Sequence, residues 1–192
     1  MDGLIEAMGG KDSFTGMLDS VFVVPPVFDA SYYGYRIHEI TEMQVADMGN
    51  YAHGNQPAQH MIYLYNWAGQ PWKTQKHVRE VMDKLYNAAP DGYCGDEDNG
   101  QTSARYVFSA LGFSPVCPCS DEYAVGSPYF RKAVVHLENG KDLVINAKEN
   151  SSDHPFVLSL KLNGRRRSPD FVSHSALCDG AVLDFAMTAA LP

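Results

Sequence analysis

The sequence predicts an α+β protein, with helices from residue 1 to about 114 and an antiparallel β region from 115 to 192. Three observations carry this. Apolar residues recur at helical spacing through the first part, where Gly and Pro punctuate them. After residue 115 apolar and polar residues alternate with a period of two. Two Asn-Gly pairs, 139–140 and 163–164, stand where alternating runs meet, as hairpin turns do.

The elements follow in order. Leu4, Ile5 and Met8 form a short helical face that Gly9-Gly10 ends, and Phe14, Met17, Leu18, Val21 and Phe22 form the next. Pro25-Pro26 stops that helix, because proline lacks the N–H and clashes with the preceding turn. A further segment begins at His38. Met61, Leu64, Tyr65 and Ala68 predict a helix after Pro57, which takes the favoured first-turn position. Gly69-Gln70-Pro71 breaks it and starts another, faced by Val78, Val81, Met82, Leu85 and Tyr86. Trp72, at that start, reads as a core plug rather than a sugar-stacking platform. Residues 103–111 read as a buried helix. In the β region, 134–145 form a hairpin around Asn139-Gly140. Phe156, Leu158, Leu160 and Leu162 alternate up to Asn163-Gly164, and Leu183, Phe185 and Met187 alternate near the end. One face of this sheet is buried.

Composition bounds the function. The 192 residues suffice for one large domain or two small ones, and the formal net charge of −8 argues against a nucleic-acid partner. The one basic run, Arg165-Arg166-Arg167, follows a turn and reads as a solvated hairpin end. No apolar stretch is long enough to span a bilayer, and Met1-Asp2-Gly3 has neither the basic start nor the apolar core of a signal peptide. Cys94, Cys117, Cys119 and Cys178 make no Cys-x-x-Cys pair, so zinc is not expected, and buried free thiols are. His38-Glu39 is followed by Glu42 where a zinc protease needs a second His.

The chemistry concentrates in two polar loops. In 91–101, Asp96, Glu97 and Asp98 stand in a row, bracketed by Gly92, Gly95 and Gly100, directly before a helix. A helix N-terminus favours negative charge, which suits a general base or a hard-cation ligand. Most acid–glycine loops are only turns and caps. Here Gln101, a polar amide at the helix head, and a second Gly-containing loop, 51–57, point to one small polar ligand.

These residues carry a resemblance. Tyr51-Ala52-His53-Gly54-Asn55-Gln56-Pro57, Tyr63-Leu64-Tyr65-Asn66, Ala68-Gly69-Gln70-Pro71-Trp72-Lys73-Thr74-Gln75, Gly95-Asp96-Glu97-Asp98-Asn99-Gly100-Gln101 and Tyr106-Val107-Phe108-Ser109-Ala110-Leu111-Gly112-Phe113 resemble glycoside hydrolase family 92. Gly126-Ser127-Pro128 and Leu162-Asn163-Gly164 fit as well, and the match runs in order along essentially the whole chain. The resemblance implies a calcium-dependent, inverting exo-α-mannosidase with an (α/α)6 toroid followed by a β layer. Residues 1–114 would be the last toroid helices and 115–192 the β region. Asp98 resembles the general base and Asp96 its partner. Gln56, Gln59 and Asp98 are candidate Ca²⁺ ligands, and His53, Asn55 and Gln101 candidate sugar contacts. Some family members carry Glu where this chain has Gln56, a swap that bears on linkage specificity and metal charge. The family is usually periplasmic or secreted.

The chain also departs from the pattern. The family's general-acid Glu lies in a Glu-Gly-Asn-x-Trp-Gln motif shortly before a Gly-Leu-Ile segment. Here Gly3-Leu4-Ile5 stands at the start, so that motif is expected upstream of Met1, with the rest of the same enzyme as a partner of this part. Arg105 stands where the family usually has Trp, and Ser114 where it usually has an aromatic. The expectation is therefore the C-terminal part of an α-mannosidase, acting on α-mannoside glycans and inactive alone. The alternative is a non-catalytic carbohydrate-binding or structural remnant.

Overall fold

A computed structural model of the chain describes residues 1–29 and 31–191. Among them the helices are α1 (Asp2–Ala7), α2 (Lys11–Val23), α3 (His38–Ala46), α4 (Tyr65–Ala68), α5 (Pro71–Leu85), α6 (Gln101–Leu111) and α7 (His174–Cys178). The strands are β1 (Phe113–Pro115), β2 (Glu122–Val125), β3 (Lys132–His136), β4 (Asp142–Asn146), β5 (Phe156–Leu162), β6 (Arg165–Arg167), β7 (Phe171–Ser173) and β8 (Ala181–Thr188). The α+β class is therefore as expected. No helix among the described residues is long and apolar enough to cross a membrane.

The chain divides into two compact units, Met1–Met61 with Glu80–Tyr106, and Ile62–Arg79 with Val107–Pro192. The first unit holds both polar loops. Phe14 and Leu18 of α2 are buried, and Ile40 and Met43 of α3 cluster with Ala52. That cluster seats α3 beside the loop that starts at Tyr51.

In the second unit β3-β4-β8-β5-β6 form one sheet and β1-β2-β7 another. Leu143, Ile145, Val157, Leu160, Leu183 and Phe185 belong to its core, together with Phe113, Val125 and Val172. Helical residues of the same unit are tied in by buried amides. Asn66 Nδ2 donates to the carbonyls of Val125 (2.8 Å) and Asp170 (2.7 Å), and Gln75 Oε1 accepts the Val157 N–H at 2.9 Å.

Four local expectations are corrected. From Gln56 onward the chain makes two 3₁₀ turns, Gln56–Ala58 and Met61–Tyr63, and then the four-residue α4, rather than one helix after Pro57. Ile62, Tyr63, Leu64, Tyr65 and Asn66 are all buried, so this segment has no polar face to make it a regular amphipathic helix. The 139–140 pair does not close a two-residue turn. Only Gly140 is left-handed (φ 76°), and Leu137 N–H bonds the Lys141 carbonyl around a longer loop. Asn163 and Gly164 are both left-handed (φ 50° and 76°), and they do close the tight β5–β6 hairpin. The larger sheet is antiparallel except for β4 and β8, which pair in parallel, Leu143 against Ala181 through Asn146 against Asp184. Finally, Cys119 and Cys178 are exposed, while Cys94 and Cys117 are half-buried; all four are free thiols. The arginines of β6 are exposed, as a hairpin end should be, and Trp72 is half-buried.

Candidate active site

Both polar loops belong to the first unit, and hydrogen bonds join them. Three consecutive residues with positive φ, Asp98 (44°), Asn99 (58°) and Gly100 (92°), turn the acidic loop into α6. Asp and Asn tolerate this region better than most residues, and strained backbone clusters at functional sites. The acid that caps α6 is the middle one. Glu97 accepts the Ser103 N–H through its side chain (3.1 Å) and the Thr102 N–H through its carbonyl (3.2 Å). A carboxylate is favoured there because the first N–H groups of a helix lack intrahelical partners.

Asp96 is held by its backbone. Its carbonyl accepts Gln56 Nε2 at 2.7 Å and Thr102 Oγ1 at 2.7 Å. Gln56 Nε2 lies 3.4 Å from Thr102 Oγ1 as well, and Gln101 Nε2 reaches back to the Gln56 carbonyl at 3.5 Å, the outer limit of such a bond. These contacts fix the loop without using the carboxylates. Asp96 and Asp98 are exposed, and among the described residues neither side chain has a hydrogen-bond or ion-pair partner. Both are left free to meet solvent or a ligand.

The other loop is built around His53, which is 1% exposed. The Tyr51 hydroxyl lies 2.7 Å from Nδ1 and the Tyr86 hydroxyl 2.9 Å from Nε2. Burial, helped by the positive charge of half-buried Arg105, pushes the imidazole pKa down to about 3. The ring is therefore neutral at neutral pH, with one nitrogen donating and the other accepting. Tyr86 also donates to the Thr102 carbonyl at 3.3 Å, so Thr102 ties the acidic loop to the aromatic cage. In the sequence Tyr86 reads only as part of an apolar helical face, and Thr102 is not singled out. Their only signals are position, one at the end of that face and one in the first turn of the next helix.

Gln59 is fully buried, its Nε2 donating to the His53 carbonyl at 3.2 Å. Its Oε1 is buried with no hydrogen-bond partner. Asn55 is half-buried and Gln101 exposed. The structure thus brings His53, Asn55, Gln56, Gln59, Asp96, Asp98 and Gln101 into one compact unit. Among the described residues no three His, Cys, Asp or Glu side chains gather as a metal group. An oxygen site for a hard cation here would join amide or backbone carbonyl oxygens and water to no more than two carboxylates. The unsatisfied Oε1 of Gln59 fits such a donor set.

A sequence profile of the glycosyl hydrolase family 92 catalytic domain matches residues 1–189. The chain belongs to this family. It is similar to an inverting family 92 mannosidase from Bacteroides thetaiotaomicron, with 53% identity and a TM-score of 0.81 over 98% of this chain and 26% of that one. An α-mannosidase from the same bacterium, solved in complex with mannoimidazole, is 35% identical with a TM-score of 0.83, over 94% of this chain and 23% of that one. A fungal relative from Arthroderma benhamiae, described as an uncharacterized secreted glycosidase, is 22% identical over 190 residues, 97% of this chain and 21% of its own length. The chain therefore spans about a quarter of the relatives it matches.

Proposed function

We propose that this chain carries the general-base side of an inverting, calcium-dependent exo-α-mannosidase that removes terminal α-linked mannose from glycans. The observation that supports this most is the division of labour in the acidic loop. The Asp96 backbone and the Glu97 side chain do the structural bonding, and the carboxylates of Asp96 and Asp98 are left free. The inverting mannosidase among the relatives, at 53% identity, supports the reaction class.

In this reading Asp98 accepts the proton of the water that attacks the anomeric carbon. The neighbouring Asp96 orients that water. A protonated acid on the opposite face gives its proton to the departing oxygen. In the family that acid lies upstream of the segment matched here. Asn55 and Gln101 bind sugar hydroxyls. His53 is assigned to the same subsite, with both ring nitrogens spent on tyrosine hydroxyls, so its contribution is to hold the loop. Gln56, Gln59 and Asp98 would hold calcium, which when bound supplies a Lewis-acidic contact to the sugar hydroxyls that favours the distorted ring. We assign residues 1–114 to the last helices of the toroid and 115–192 to the β layer. The whole protein is exported, as the relative described as secreted suggests.

A purely carbohydrate-binding or structural role is the second reading, and the observation behind it is the quarter-length span. Joining this chain to the upstream part of a family 92 enzyme and following α-mannobiose hydrolysis by proton NMR separates the two. β-Mannose is the expected first product. First appearance of α-mannose would overturn the inverting assignment, and absence of turnover in the joined protein would favour the second reading.

A further inference from the structure

We infer that Glu42 is a positioning residue that registers the His53–Gln56 loop against the acidic loop: its carboxylate holds the Gly54 N–H, and Gly54 packs directly on Gly95. The inference rests on the reading that these two loops form the sugar site.

Glu42 lies on α3, in neither loop. Its Oε1 accepts the Gly54 N–H at 2.7 Å. Gly54 and Gly95 touch with no room between them. A Cβ on Gly54 would fall 2.1 Å from Glu42 Oε2 and 2.9 Å from the backbone of Gly95. A Cβ on Gly95 would fall 2.6 Å from the Gly54 carbonyl oxygen, and Gly95 is left-handed in any case (φ 65°). Real Cβ atoms do not approach so closely, so both positions require glycine. The neighbours of Gly54 are His53 and Asn55, and those of Gly95 are Cys94 and Asp96. A shift of the carboxylate therefore moves residues on both sides of the site.

The carboxyl is held firmly enough to act as a reference point. Ile40 and Met43 of the same helix are in the buried cluster with Ala52, just before His53. Glu42 Oε2 is buried without a hydrogen-bond partner, and burial raises the pKa of the group although the Gly54 N–H pulls the other way. A buried peptide N–H needs an acceptor, and an amide oxygen can supply one in the same place, with a weaker bond than a carboxylate gives. Geometry rather than charge is what this position supplies, and that makes the test specific. A glutamine reaches as far as glutamate and keeps an oxygen acceptor. An aspartate keeps the charge and falls short by one methylene. Misplacement of reacting groups by about 1 Å costs on the order of 10² in rate, so a contact of this kind has leverage on the chemistry.

The test uses the 192-residue chain and compares Glu42→Gln, Glu42→Asp and Glu42→Ala by amide hydrogen exchange, by ¹⁵N–¹H NMR and by calcium titration. Glu42→Gln should keep the protection of the Gly54 amide and the resonance positions of Gly95 and Asp96. Glu42→Asp and Glu42→Ala should lose at least about tenfold in Gly54 protection and shift Gly95 and Asp96, with the amides of β5 and β8 unchanged. Where calcium binds the parent chain, its affinity should fall with Asp and Ala and recover with Gln. If Glu42→Ala fails to fold, the Asp and Gln pair decides. Aspartate behaving like the parent, or glutamine behaving like alanine, would overturn the inference. A parent chain that binds no calcium would count against the metal assignment alone, because the exchange comparison does not depend on it.

Discussion

Asp98→Asn, in this chain joined to the upstream part of a family 92 enzyme, should lower kcat on α-mannobiose by about 10²–10⁴-fold, the usual contribution of a general base. The fold should survive, because the Asp98 side chain makes no hydrogen bond within the described residues and its backbone carbonyl still accepts the Gln101 N–H at 3.2 Å. Asn tolerates the positive φ at this position as Asp does, so thermal unfolding should stay within about 0.5 kcal/mol of the parent. Asp96→Asn should cost less, since that residue only orients the attacking water. Its anchoring is by carbonyl, which the substitution leaves in place. A near-normal rate for Asp98→Asn with a large loss for Asp96→Asn would exchange the two roles.

The second large effect is expected of the chain by itself. The 192 residues alone should release no measurable mannose from α-mannobiose, with calcium or with a chelator. A glycosidic leaving group needs a proton in the transition state, from a carboxylic acid about 6.5–9.5 Å from the base. Of the nearby glutamates, Glu97 is committed to capping α6 and lies on the base side in sequence. Glu42 is bonded to the Gly54 N–H, and Glu39 lies 3.3 Å from His38. Each already has a partner. Calcium-dependent release of mannose that is lost in Asp98→Asn would refute this and would require an acid from within the chain or from a partner subunit.

The parts of the fold that are local in origin were legible in the sequence. Gly9-Gly10 separates α1 from α2, Pro25-Pro26 follows the end of α2, and Asn163-Gly164 turns β5 into β6, each through the backbone conformation of one or two residues. What was not legible depends on partners far away in sequence. The parallel pairing of β4 with β8 joins residues almost forty positions apart and leaves no local mark. The segment after Pro57 is apolar on every side, so its spacing did not distinguish a helix from successive 3₁₀ turns. The site divides in the same way. The acid–glycine run and the preference of a helix start for negative charge were visible. The capping by Glu97, the cage of Tyr51 and Tyr86 around His53, and the Gln56–Asp96–Thr102 contacts are not, because each joins a side chain to a group whose position only the fold decides.

The most direct measurement of the central claim, that Asp98 is the base of an inverting reaction, is azide rescue. The joined protein carrying Asp98→Gly is given 2,4-dinitrophenyl α-mannoside, whose phenolate departs without a proton, together with sodium azide. Azide attacks the anomeric carbon as the C–O bond to the phenolate breaks, and it needs no base to activate it. The account predicts recovery of dinitrophenolate release with added azide and β-mannosyl azide as the product by NMR. No rescue, or α-mannosyl azide as the product, would contradict it.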